Sequence, residues 1–141
     1  MRKAITTLQS TAQLHGPGAT VTPEAIAEGS GAVPAKALAP LLALSFGGEG
    51  AGFDAVRKAA QGVLVQGYPI LAVLEKLADA VIAHSGLSGG AKAAVLERIS
   101  LADKCLADGA DEELQLVDVA ATLLRVTKGF GVPADKERSY L

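Results

Sequence analysis

Pro69-Ile70-Leu71-Ala72-Val73-Leu74-Glu75-Lys76-Leu77-Ala78-Asp79-Ala80-Val81-Ile82-Ala83-His84 is the stretch that decides the fold class of this chain. Ile70, Leu74, Leu77 and Val81 recur at spacings of four, three and four. That spacing stacks them on one face of an α-helix. Leu71, Ala78 and Ile82 are expected to widen the stripe, while Glu75, Lys76 and Asp79 turn to water. Downstream, Ala91, Val95, Ile99, Ala102 and Leu106 repeat the pattern over residues 88–107. A further helix is expected over residues 53–66. No segment shows the alternation of a strand, so the chain reads as all-α, a helical bundle.

The last helix, residues 111–126, differs from the others. From Leu114 to Val126 its only polar residues are Gln115, Asp118, Thr122 and Arg125, which fall at helical spacing on one narrow strip. A helix this apolar has to be covered over most of its circumference. Either it is the central helix of its own domain or it also meets another chain.

Helix stops and starts divide the rest. Residues 3–15 read as a first helix, halted by Gly16-Pro17-Gly18. Thr22 is placed to N-cap a short second helix, with Pro23 at the first helical position, where a missing N–H costs nothing. Pro34 opens a third, to about residue 44, which Pro40 should kink or shorten. Gly47-Gly48-Glu49-Gly50-Ala51-Gly52 reads as a flexible hinge and the weakest internal joint. The four helices of residues 53–126 follow as the tightest bundle, with short connections that favour antiparallel neighbours. Gly67, Gly86 and Gly109 stop helices, and Ser88 and Asp111 are N-cap candidates, the latter followed by Glu112 and Glu113 at the positive helix end. The expected core includes Leu74, Leu77, Val81, Val95, Ile99, Leu106, Val117 and Leu124. Residues 129–141 carry Gly, Pro and charge without periodicity and are expected to be disordered or extended.

Composition removes several function classes. Half of the 141 residues are apolar, yet there are three Phe, two Tyr and no Trp. The core is therefore built from aliphatic residues and alanine, which suits packed helices. A net charge of −2 with interspersed signs gives no electrostatic footprint for nucleic acid. No run of 18 apolar residues is present and no signal-peptide pattern follows Arg2-Lys3, so a soluble, non-secreted protein with no membrane partner is expected. Cys105 is the only cysteine, which rules out an intrachain disulfide.

The residues that carry chemistry elsewhere are not arranged to do so in this chain. No Gly-x-x-x-x-Gly-Lys-Ser/Thr phosphate loop occurs, and residues 47–52 do not match the dinucleotide fingerprint. His15 and His84 sit at expected helix C-termini, where capping explains them. Two dispersed histidines and one cysteine do not make a zinc site. Cys105 has Lys104 beside it but no base placed to activate it, so it reads as structural. Asp108, Asp111, Glu112 and Glu113 are explained by caps and solvated turns rather than by a catalytic pair. On these grounds the chain is a binding or assembly module, not an enzyme on its own.

Two strings carry a family resemblance. Arg2-Lys3-Ala4-Ile5-Thr6-Thr7-Leu8-Gln9-Ser10 is similar to the sensor-2 helix of the clamp-loader AAA+ ATPases. Ala102-Asp103-Lys104-Cys105-Leu106-Ala107-Asp108-Gly109-Ala110-Asp111-Glu112-Glu113-Leu114-Gln115-Leu116 resembles the signature of the C-terminal collar domain of eukaryotic replication factor C small subunits. Gly31-Ala32-Val33-Pro34, Phe53-Asp54 and Gln66-Gly67-Tyr68 fall between them in family order, and within the family both strings most resemble the subunit numbered four in animals.

The resemblance implies that residues 1–31 end the AAA+ lid domain, that 32–128 are the collar, and that 129–141 form a tail. It implies assembly with other replication factor C subunits through the collar, with Leu116, Val119, Ala120, Leu123 and Val126 as the candidate subunit interface. Through the whole complex it implies the sliding clamp PCNA and primer–template DNA as partners, in replication and repair in the nucleus. Arg2 matches the sensor-2 arginine, which in the family reaches the γ-phosphate of ATP. The nucleotide core of the family is not in this chain, and the Gly-Asp pair expected before the sensor-2 string does not precede Met1. No cofactor is therefore expected to bind here, ATP and Mg²⁺ belonging to the full-length family complex.

Overall fold

The computed structural model describes residues 20–23, 25–26 and 32–131. Over residues 32–131 lie five helices: α1 (Ala35–Ser45), α2 (Phe53–Val65), α3 (Ile70–Ala83), α4 (Gly89–Ala107) and α5 (Glu112–Thr127), with no strand among the described residues. The expected helices over residues 34–44, 53–66, 69–84, 88–107 and 111–126 are all present, with ends shifted by a residue or so. Thr22 caps as expected: its Oγ1 accepts from the Ala25 N–H at 3.1 Å. The helix expected over residues 3–15, and nearly all of the tail, lie outside the described residues.

Local chemistry sets the ends. Ser88 accepts from the Ala91 N–H at 3.2 Å and Asp111 from the Leu114 N–H at 2.8 Å, so both N-cap assignments hold. At the other end of α4, Gly109 has φ +92°, and the Ala110 N–H returns to the Cys105 carbonyl at 2.9 Å. This six-to-one closure takes up carbonyls that the helix leaves open, and it needs a left-handed residue that glycine adopts without strain. Gly47, Gly67 and Gly129 follow α1, α2 and α5 at similar positive φ.

Gly86 is the exception. It has no positive φ; α3 instead leaves its helical path at His84, whose backbone is extended. The His84 Nδ1 accepts from the Gly86 N–H at 3.1 Å, and a Cβ on Gly86 would lie 2.9 Å from His84 Cε1. Close approach of the His84 ring, not a left-handed turn, is what favours glycine there. His84 thus closes the turn after α3 by accepting a hydrogen bond, rather than by offering charge to the helix carbonyls.

Two expectations about breaks are corrected. Pro40, expected to kink or shorten α1, does not shorten it: the helix runs on to Ser45. Lys36, whose carbonyl loses its partner, and Pro40 itself are both exposed, so water can take the freed carbonyl. Nor is the segment over residues 47–52 a free hinge. It begins with the closure of α1, where the Gly48 N–H reaches the Ala43 carbonyl at 2.9 Å, and continues in a turn from Gly48 to Ala51. Lys128 then donates to the Ala51 carbonyl at 3.1 Å, tying this loop to the end of α5. Moreover, α1 packs on α2, α3 and α5, with Leu38 and Leu41 buried, so it belongs to the same core as the four helices after it.

The α3 stripe is close to the expected one. Ile70, Leu74, Leu77 and Val81 are buried, joined by Val73. Leu71 and Ile82 are instead exposed, because each lies roughly a quarter-turn or more from the centre of the stripe. Val95, Ile99, Val117 and Leu124 are buried as expected, whereas Leu106 is only partly covered.

Candidate functional site

The last helix is central. α5 packs against α4, α2, α1 and α3, and seven of its residues are buried. Leu116, Val119, Ala120, Leu123 and Val126, expected at a subunit interface, are all in that core, none more than 6% exposed. The chain's own helices already cover them, so they offer nothing to a second chain in this fold. Of the two explanations for the apolar character of α5, the structure supports the one internal to the domain.

The polar strip of α5 is what faces outward and sideways. Gln115 and Asp118 meet Arg98 of α4: its guanidinium pairs with the Asp118 carboxylate, and Nη2 donates to Gln115 Oε1 at 3.1 Å. Here an arginine fork serves two acceptors on neighbouring turns of one helix. On the opposite flank of α5, Glu113 accepts from Gln61 Nε2 of α2 at 2.8 Å, with Arg57 Nε 3.8 Å away. These two polar clasps fix α5 between α2 and α4.

Three exposed aliphatic side chains sit beside the clasps. Leu101 lies about one turn past Arg98, Leu114 about one turn before Asp118, and Val65 about one turn past Gln61. They are 49%, 67% and 88% exposed. Since α5 runs antiparallel to both neighbours, all three lie toward the end of the bundle where α4 turns into α5. Sequence reasoning put the interaction surface on the buried side of α5; the accessible apolar residues are on its outer edge and on the two helices beside it. The clue available in the sequence was the interruption of the polar faces by single aliphatic residues.

The remaining site residues do not converge. Arg2 and His15 lie outside the described residues. Cys105 is half-buried near the C-terminus of α4, whereas His84 is at the other end of the antiparallel α3–α4 pair, stacked on Phe46. Among the described residues no group of three or more His, Cys, Asp and Glu could hold a metal ion. A surface groove of about 200 Å³ has Asp103 and Glu112 on its wall and no cationic side chain among its lining residues. Those two carboxylates would repel a triphosphate at this groove. No helix among those described is long and apolar enough to cross a membrane.

Residues 48–122, from the loop before α2 into α5, match the replication factor C C-terminal domain. Over 125 residues, 89% of this chain, the sequence is 36% identical to replication factor C subunit 2 of Oryza sativa subsp. japonica and 34% identical to replication factor C subunit 4 of Homo sapiens. Replication factor C subunit 4 of Arabidopsis thaliana is 35% identical over 88% of the chain. These alignments cover 35%, 33% and 35% of the respective relatives, so the chain spans about a third of their length. The chain belongs to the replication factor C family, and residues 48–122 of its helical bundle match that family's C-terminal domain.

Proposed function

We propose that this bundle is an assembly module that joins other replication factor C subunits in a clamp loader. The observation that carries the proposal is the similarity of nearly the whole chain to proteins named as numbered subunits of one factor. Its fold supports the same role: α5 is the central helix, held by Arg98 of α4 and Gln61 of α2, with Val65, Leu101 and Leu114 presented beside it. Apolar side chains on an otherwise polar rim are what protein–protein contacts use.

In the assembled loader, residues 1–31 would continue the lid of an AAA+ subunit and residues 32–128 would form the collar. Arg2, as the sensor-2 arginine, would act on ATP only where a nucleotide core supplies the phosphate loop and Mg²⁺. The sliding clamp PCNA and primer–template DNA are then partners of the complex rather than of the bundle, and the site of action is the nucleus. Alone, the chain carries no ATPase activity.

Co-purification with partner small subunits tests the assembly role, followed by sedimentation of the chain alone. A defined complex that Leu114→Asp or Leu101→Asp weakens, without loss of helicity, supports it. A folded chain that ignores every replication factor C subunit leaves a helical adaptor with some other partner.

A further inference from the structure

One surface feature lies apart from the edge just described. Between the start of α3, the end of α4 and the turn into α5 is a groove of about 200 Å³, with Leu71, Leu106, Ala107 and Ala110 among its apolar lining. Leu71 is 54% exposed, and Leu106 only partly covered by the core. Helical spacing puts Asp103, Leu106 and Ala107 on the flank of α4 away from Arg98 and Leu101, so the groove and the outer edge of α5 are different surfaces.

The size limits the occupant. Small-molecule pockets run to roughly 300–1,000 Å³ and enclose their ligand. This groove is smaller and open, with room for one or two side chains of a passing segment. Charge fixes the rest. Asp103 and Glu112 stand on its wall, and no Lys, Arg or His is among its lining residues. Neither carboxylate is in an ion pair among the described residues, whereas nearby Asp108 is held by Lys104 at 3.0 Å and Glu113 faces Arg57. An apolar floor between two carboxylates without an ion-pair partner among the described residues matches a segment whose aliphatic side chains are flanked by cations.

We infer that this groove docks a short segment of a partner protein in which one or two leucine-like side chains are flanked by Lys or Arg. The aliphatic groups fill the space beside Leu71 and Leu106, and the flanking cations face Asp103 and Glu112. This goes beyond the assembly reading and does not depend on it.

The test is an NMR titration of the ¹⁵N-labelled full chain with two synthetic peptides, acetyl-Lys-Leu-Leu-Arg-amide and acetyl-Lys-Gly-Gly-Arg-amide. The leucine peptide should shift the amides of Leu71, Leu106, Ala107 and Ala110, and bind about tenfold or more tightly than the glycine peptide. Leu71→Asp should abolish the difference between the peptides, and the double variant Asp103→Asn, Glu112→Gln should weaken the leucine peptide and flatten its salt dependence. Ile82→Asp, an exposed aliphatic at the opposite end of α3 from the groove, should change neither. Equal binding of both peptides, shifts spread over the acidic surface, shifts centred elsewhere, or no shifts at millimolar peptide would each overturn the proposal. So would groove amides that move on dilution of the chain alone, which would put a second copy there.

Discussion

The Phe46 and His84 rings stack with centroids 4.3 Å apart and planes 8° from parallel, joining the residue that ends α1 to the residue that ends α3. The two helices are distant in sequence, and this contact fixes their C-terminal ends together. His84 is further held by the Gly86 N–H. An aromatic pair of this kind contributes about 0.5–1.5 kcal/mol beyond its buried area. Replacing His84 by Ala should therefore lower stability by about 1–2 kcal/mol in urea unfolding, since it removes the stack and the turn acceptor together. Phe46→Leu should lose the stack alone and cost less. Equal stability of His84→Ala and the parent would mean the stack contributes nothing in solution.

The placement of α5 residues in the core has a direct consequence. Leu123 is 1% exposed and Leu77 likewise. Truncation of either to Ala should cost about 2–5 kcal/mol, the range for large aliphatic side chains in packed interiors. If Leu123 instead faced a partner, Leu123→Ala would leave the isolated chain as stable as before and would weaken only its complex. Denaturant midpoints of the chain alone separate the two.

Two glycines that look alike in sequence differ in structure. Gly62 is within α2, where an added Cβ would meet nothing within 4 Å, and a Gly→Ala change in a helix interior is worth about 1 kcal/mol. Gly62→Ala should therefore raise stability by roughly that amount. Gly67 also has open space, but its φ is +77°, so Gly67→Ala should destabilise by about 1–2 kcal/mol. Thermal melts of the two variants should move in opposite directions; a shift of both the same way would contradict the assigned turn at Gly67.

Phosphoryl transfer needs a phosphate cradle and bound Mg²⁺, and the sequence contains no phosphate loop. The purified chain should show no turnover above buffer. Turnover abolished by Arg2→Ala would contradict this.

Much of the fold was legible because its signals are local. The stripe Ile70, Leu74, Leu77, Val81 requires only the helical repeat, and Asp111 caps α5 through a bond to Leu114 three residues on. What sequence alone left open was which apolar face belongs to which partner. The surplus of Leu, Val and Ala on α5 states that the helix is covered, but only the three-dimensional packing shows that α1, α2, α3 and α4 do the covering. The same gap explains Leu71 and Ile82, apolar yet exposed at the margin of their stripe. It also explains the loop over residues 47–52, where composition suggests freedom while Lys128, 77 residues away from Ala51, holds it down.

The position of α5 bears on how the domain is made. It is the last of the five helices in sequence and the one against which the other four pack. During synthesis, at about 5–20 residues per second, α1 to α4 emerge before the helix that completes their core. Their buried faces, Leu38, Val56, Leu77 and Val95 among them, stay open to water or to chaperones until α5 follows. Folding is then gated by the C-terminal end of the bundle, so chains stalled or cleaved before residue 112 should remain expanded and protease-sensitive. A variant stopped after Ala110 that gives sharp, native-like amide dispersion would show that α1 to α4 settle without their axis.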